Sequence, residues 1–149
     1  MKRYSKKVIA MFLSLALLVV GVTVPVGAVD ARSSLYLSYY RAWLTPVSGA
    51  KINVNVDVQA VSYMDNVGST KIEIFESDDG GDTWGRARTY YSALEDNMLV
   101  QDDYLYYDTA VVHQGTAGYK YYAVVTVYAG DSTGSDTREY QTTTVTARS

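Results

Sequence analysis

A chain of 149 residues with no cysteine forms no disulfide and no thiolate metal site, and its single histidine, His113, excludes a multi-histidine zinc cluster. Four of its 13 basic residues fall within the first seven positions, leaving nine against 16 acids and a net charge of −7 on the rest. Phosphate backbones and anionic lipid heads repel such a chain, which argues against nucleic-acid and membrane-surface partners.

In chain order, the first segment reads as an address. Lys2, Arg3, Lys6 and Lys7 precede an apolar run from Val8 to Val24, then Pro25 and the small-residue site Val26-Gly27-Ala28. That is the pattern of a secretory signal peptide, predicted over 1–28 and helical in its apolar run. Cleavage after Ala28 is expected, with Ala31 as the alternative site. An uncleaved anchor is the competing reading, because the run is about the shortest that spans a bilayer. No cysteine follows the run, so a lipoprotein anchor is excluded. A short linker, 29–34, then leads to one β-sandwich domain over 35–149, long enough to bury a core without covalent help.

Period-two alternation dominates this domain. The clearest case is Lys51 to Val61. Ile52, Val54, Val56, Val58 and Ala60 take one face; Asn53, Asn55, Asp57 and Gln59 take the other. A slip of one residue would bury two amides and a carboxylate, so the facing is well specified. Six further strands are predicted: Leu35 to Leu44, Thr70 to Ser77, Trp84 to Tyr91, Tyr104 to His113, Tyr119 to Tyr128 and Thr137 to Ala147. Turn-rich stretches separate them at Pro46 to Gly49, Asp65 to Gly68, Asp78 to Asp82, Gly115 to Gly118 and Gly130 to Asp136. Ala93 to Asp96 is read as a single helical turn. β-Branched residues and abundant tyrosine suit pleated, half-buried surfaces. Seven short strands at this spacing predict an all-β, antiparallel, two-sheet sandwich.

Ser77-Asp78-Asp79-Gly80-Gly81-Asp82-Thr83-Trp84 matches the pattern S-x-D-x-G-x-T-W. It resembles the Asp-box, a hairpin motif repeated in sialidases and found singly in other secreted β-proteins. Asp79 is suited to accept backbone N–H bonds across the turn, and Gly81 to take a positive φ. Ser77 and Thr83 are suited to local bonds, and Trp84 to cover the hairpin. A sialidase needs a far longer propeller, an arginine triad and repeated boxes, so the motif is read as structural. Asp78, Asp79 and Asp82 also offer carboxylates to Ca²⁺, but without the alternation or bidentate Glu of an EF-hand. No cofactor is expected.

Gly118-Tyr119-Lys120-Tyr121-Tyr122-Ala123-Val124-Val125-Thr126-Val127 resembles the sixth strand of fibronectin type III domains. The resemblance implies a fibronectin type III or immunoglobulin-like sandwich. It makes Tyr121 a tyrosine corner, its ring buried and its hydroxyl bonded to upstream backbone. The usual second-strand tryptophan is missing. The mature chain is also similar to a family of small secreted proteins of Gram-positive gut bacteria, of uncharacterised function. The stretches that carry this run from Lys71 to Gly81 and from Tyr121 to Gly130. It implies no catalytic residue.

Chemistry is thinly signalled. Glycoside hydrolysis needs two carboxylates across a sugar-sized cleft. The pairs Asp102-Asp103 and Glu95-Asp96 are sequence neighbours, which a strand points to opposite faces. His113 ends a strand with no nucleophile signature nearby. Aromatics are the stronger lead. Arg86, Arg88 and Tyr90 share a phase after the Trp84 turn, and Tyr122 and Tyr128 face outward if Tyr121 faces inward. Together they are expected to form a ligand-binding patch for a glycan or a protein. The function expected is a secreted, non-catalytic binding or adhesion-type module. The alternatives are a structural exoprotein that self-associates through an edge strand at Thr142, Thr143, Thr144 and Thr146, and a small glycan hydrolase.

Overall fold

Apolar side chains at every second position of one long strand, β2, organise the molecule. The computed structural model describes residues 34–149. The expected signal peptide, its two alternative cleavage sites and the expected linker up to residue 33 lie outside the described residues. Seven strands follow: β1 (Leu37–Val47), β2 (Lys51–Ser77), β3 (Gly85–Tyr91), β4 (Leu99–Gln114), β5 (Lys120–Asp131), β6 (Gly134–Gln141) and β7 (Val145–Thr146). A single 3-10 turn, Asp96–Met98, precedes β4. The fold is an all-β antiparallel sandwich.

The first half of β2 pairs with β1 on one side and β4 on the other, Asn55 lying opposite both Trp43 and Thr109. These three make sheet one. The second half of β2 pairs with β3 and β5, Ile72 lying opposite both Tyr90 and Val125. β6 extends that sheet beyond β5, and β7 pairs with the start of β5. These make sheet two. β2 therefore serves both sheets and passes from one to the other between Val61 and Ser69.

The core lies between the sheets. Ile52, Val54, Val56 and Val58 are fully buried, as are Ile72, Ile74, Tyr121, Ala123, Val125 and Val127. Each large aliphatic side chain so buried contributes about 1.5–3 kcal/mol. Contacts cross the gap at both ends. Tyr40 of β1 meets Tyr140 of β6 edge-on at 6.4 Å, and His113 of β4 lies 5.7 Å from the Tyr121 ring of β5. The Tyr121 hydroxyl accepts the Thr116 amide at 2.8 Å and donates to Glu76 Oε2 at 3.1 Å.

The turn predicted at Asp65 to Gly68 is absent. The strands expected at Lys51 to Val61 and Thr70 to Ser77 are one strand that bends. Val67, Gly68 and Ser69 are all buried there, and the pairing slips against β4 between Gln59 and Met64 and against β5 between Ser69 and Lys71. Bulges of this kind let a strand change sheets. Gly68 is what the bend requires. Its φ is +143°, and a Cβ there would strike the Met98 carbonyl and the Tyr106 ring. The strand predicted from Thr137 to Ala147 also divides. Thr142 leaves the ladder, is buried, and exchanges hydrogen bonds with Ala123 through its own amide and hydroxyl at 2.9 and 3.0 Å. The count of seven survives because one merger offsets one division. The single helical turn sits later than Ala93 to Asp96, at Asp96–Met98.

Gly68→Ala is expected to destabilise the fold by about 2 kcal/mol in urea denaturation, through strain and overpacking. Gly85→Ala, where φ is ordinary and no atom lies within 4 Å, should stay within about 0.5 kcal/mol of the parent.

Candidate functional site

The expected patch of Arg86, Arg88, Tyr90, Tyr122 and Tyr128 does not assemble. Pairing between β2 and β3 slips at Ala87, so that Phe75 faces Arg86 while Ile74 faces Arg88 and Ile72 faces Tyr90. Arg86 thus stands on the outer face, but Arg88 and Tyr90 fall on the inner one. A one-residue bulge flips every side chain beyond it. Tyr90 is a core residue, buried to 6% exposure. Its hydroxyl lies 3.1 Å from His113 Nδ1, and the Arg88 guanidinium lies 4.8 Å over its ring. Tyr122 and Tyr128 both face outward and are half-buried. They are six residues apart on β5, roughly 20 Å at strand rise.

What gathers on the outer face of sheet two is a closed cluster. Phe75 stacks on Tyr122 at 4.8 Å and 8°, and Trp84 meets the same ring edge-on at 4.7 Å. Beside them Glu73 pairs with Arg86 at 2.7 Å and with Lys71 at 3.0 Å. The hydrogen bonds from Lys71 and Arg86 hold the Glu73 carboxyl below the usual carboxylate range. Each group's partner is already present within the face.

The Ser77 to Trp84 turn is closed in the same sense. Ser77 Oγ donates to Asp79 Oδ1 at 2.6 Å and accepts the Gly81 amide at 2.9 Å. Asp79 also accepts the Asp82 and Thr83 amides at 3.0 Å and the Thr83 hydroxyl at 2.6 Å. These bonds, Ser77's first among them, hold the Asp79 carboxyl well below the usual range. Gly81 takes φ +104°, and Trp84 Nε1 donates back to its carbonyl at 3.1 Å. A Ca²⁺ at Asp78, Asp79 and Asp82 would have to displace the hydroxyls and amides that saturate Asp79. Among the described residues no three His, Asp or Glu side chains group as metal ligands would.

His113 is buried, which holds its pKa below the ordinary 6.5; Glu76 opposes that shift and Arg88 adds to it. Surface clefts lie elsewhere, among them two of note. One of about 300 Å³ beside the 3-10 turn is lined in part by Asp96, Leu105, Tyr107 and Asp108. Another of about 280 Å³ lies beside Glu76, Asp78, Thr83 and Tyr119.

The open face is on sheet one, and sequence reasoning missed it. Seven of the ten large apolar or aromatic side chains that remain exposed lie on β1, β4 or the span of β2 up to Tyr63: Tyr39, Val61, Tyr63, Tyr104, Leu105, Tyr107 and Val112. Four cross-strand rows form the outer face: Tyr39–Gln59–Leu105, Arg41–Asp57–Tyr107, Trp43–Asn55–Thr109 and Thr45–Asn53–Val112. Trp43 and Tyr107 reach across β2 to 5.9 Å between ring centres. The Arg41 guanidinium lies 4.7 Å over Trp43, and its Nε is 3.2 Å from Asp57 Oδ2. Asn55 donates to Thr45 Oγ1 at 2.9 Å and accepts from the Thr109 hydroxyl at 2.8 Å. A signal was available: Tyr39, Arg41 and Trp43 alternate against Ala42 and Leu44 just as the polar row of β2 alternates against its valines.

In comparisons with protein-family models, curated proteins and solved structures, nothing matches this chain.

Two pH effects follow. The unfolded chain protonates His113 more readily than the fold does, so stability holds above about pH 6.5 and is lost as pH falls below it. The melting temperature should therefore drop between pH 7 and 5, and His113→Gln should flatten that slope. Asp79 acts lower. Stability from its carboxylate is present above 3.8, its ordinary value, and fades as pH falls below that. Asp79→Ala should remove hydrogen-exchange protection of the Thr83 amide while the amides of β5 keep theirs.

Proposed function

We propose that this chain is an exported, non-catalytic binding module of the extracellular space, of adhesion type. The observation that carries the reading is the crowding of exposed aromatic and apolar side chains onto sheet one, while sheet two satisfies most of its own. Four of them, Tyr39, Leu105, Tyr107 and Val112, share the outer face of sheet one; monomeric domains scatter such side chains, and a cluster of this kind marks a surface that meets something. The leader pattern over 1–28 supports export. The resemblance to fibronectin type III domains, which that of the Ser77–Trp84 turn to a single Asp-box accompanies, agrees with an extracellular setting. The turn's hydrogen bonds close on themselves, which supports a structural part for it. His113 lies in the core against Tyr90, out of reach of a substrate. The net charge after the leader argues against nucleic acid.

Self-association through the threonine run itself gains no support from the backbone. The threonine run expected to form that edge is interrupted, with Thr142 buried and only Val145–Thr146 back in the ladder. β6, which holds Thr137 to Gln141 of the predicted last strand, does stand at the edge of sheet two, and pairing through it is the second reading.

The full chain, expressed with its leader, should appear in the medium beginning at Val29 or Arg32. The exported protein should bind saturably to at least one of three immobilised surfaces: mucin, fibrinogen or Gram-positive cell wall. Tyr107→Ser together with Tyr39→Ser should weaken that binding at least tenfold. Blank results on all three surfaces, and on the polysaccharides named below, would sink the reading.

A further inference from the structure

We infer that the outer face of sheet one is a platform for a neutral polysaccharide, held along the internal units of its chain. The inference rests on the binding-module reading and names the ligand class of that surface.

Charge complementarity selects the occupant. Across the four rows from Tyr39–Gln59–Leu105 to Thr45–Asn53–Val112, the ionised side chains are Arg41 and Asp57, and they neutralise one another at 3.2 Å. Lys51 stands one row beyond, opposite Gln114. At the β4 margin the nearest concavity carries Asp96 and Asp108 beside Leu105 and Tyr107. Those carboxylates, and the excess of acids over the whole chain, repel an anionic polymer. A phosphate or sulfate group finds no free cation in the rows. Within the rows an acidic peptide finds no free cation and a basic one no free carboxylate.

What the rows do offer suits sugar hydroxyls. Asn53, Asn55 and Gln59 carry donor and acceptor on one planar amide, and Thr45 and Thr109 carry hydroxyls that do both. A sugar's vicinal hydroxyls likewise donate and accept. Asn55 is held between Thr45 and Thr109, so its amide orientation is set before a ligand arrives. Aromatic rings flank the amides. Tyr107 is 62% exposed and Tyr39 is 45% exposed, and they stand on opposite sides of β2 in adjacent rows. A pyranose ring presents a patch of C–H groups that buries well on such a ring while its hydroxyls reach the amides. Trp43 braces Tyr107 from the side at 5.9 Å, and Arg41 lies over Trp43 in turn. The rows form an open strip between two edge strands. A chain end needs an enclosing pocket, whereas a polymer can run across a strip and leave at both ends.

The test is affinity electrophoresis of the purified exported protein in gels containing hydroxyethyl cellulose, barley β-glucan, galactomannan or soluble starch. Polygalacturonate and heparin serve as acidic counterparts. At least one neutral polymer should retard the protein, and neither acidic one should. Tyr107→Ala should raise the dissociation constant at least tenfold, with an unchanged melting temperature because its side chain is exposed. Tyr91→Ala, on the outer face of sheet two and 49% exposed, should bind like the parent. Asp57→Asn leaves Arg41 unpaired and should bring measurable retardation by polygalacturonate. Retention by acidic polymers alone, loss with Tyr91→Ala but not Tyr107→Ala, or no gain of polygalacturonate binding with Asp57→Asn would each overturn the inference. If no glycan binds while mucin, fibrinogen or cell wall still does, the ligand class falls and the binding module stands. If every surface and polymer is blank, both fall.

Discussion

The continuity of β2 is the constraint on which the other strands depend. Its even-numbered side chains from Ile52 to Ala60 are buried between the sheets, and so are Ile72 and Ile74 beyond the bend. Between them the buried positions shift to Val67 and Ser69, one step out of phase. Two register shifts absorb the difference, one against each neighbouring strand. β1 and β4 take their facing from the first half, and β3 and β5 from the second. Because one covalent strand carries both registers, a slip in either sheet would have to pass through Gly68, where the Met98 carbonyl leaves no room. The two sheets are locked to each other through backbone as well as through side-chain packing.

Alternation made much of this legible in advance. The inward rows of β2 and β5 follow from composition alone, since the opposite register would bury Asn55 and Asp57 in one strand and Thr126 in the other. The bend was misread for a physical reason. Asp65, Asn66 and Gly68 are residues that turns use, and local chemistry does not distinguish a reversal from a change of sheet. Gly68 is needed because the segment around Met98, 30 residues later, passes against it. The bulge at Ala87 is hidden in the same way: nothing in Arg86-Ala87-Arg88 announces it, and it decides that Tyr90 enters the core. Cross-strand rows such as Trp43–Asn55–Thr109 join residues more than 50 positions apart, so the open face emerges only once the strands are paired.

The two outer faces show how register governs availability. On sheet two, Phe75 and Tyr122 are direct partners, so their rings stack on each other and Trp84 closes over them. Glu73 stands on the middle of three strands, paired with Arg86 of β3 and with Lys71 of its own strand. Much of the apolar and charged surface is consumed within the face, with Tyr91 left 49% exposed, and the Ser77 to Trp84 turn seals its end. On sheet one the aromatic residues lie on the two outer strands, and the central strand between them is polar. Trp43 and Tyr107 bridge that gap, but Tyr39 and most of Tyr107 remain uncovered.

The composition of that central polar row carries the last step. Folding asks only that positions 53, 55, 57 and 59 be polar, so that the valines go inward. Lysine, glutamate or threonine would meet that demand, and threonine would meet it better, because asparagine and aspartate are among the residues strands least favour. Three of the four positions are uncharged amides, and the single carboxylate, Asp57, is neutralised by Arg41. The chain elsewhere places its acids freely, at Asp65, Asp78, Asp82, Asp96, Asp102, Asp103 and Asp108. Neutrality on the one face that leaves aromatic rings open therefore does not follow from the requirements of the fold. The proposed partner accounts for it: a neutral, hydroxyl-rich surface is what a row of amides between tyrosines would satisfy.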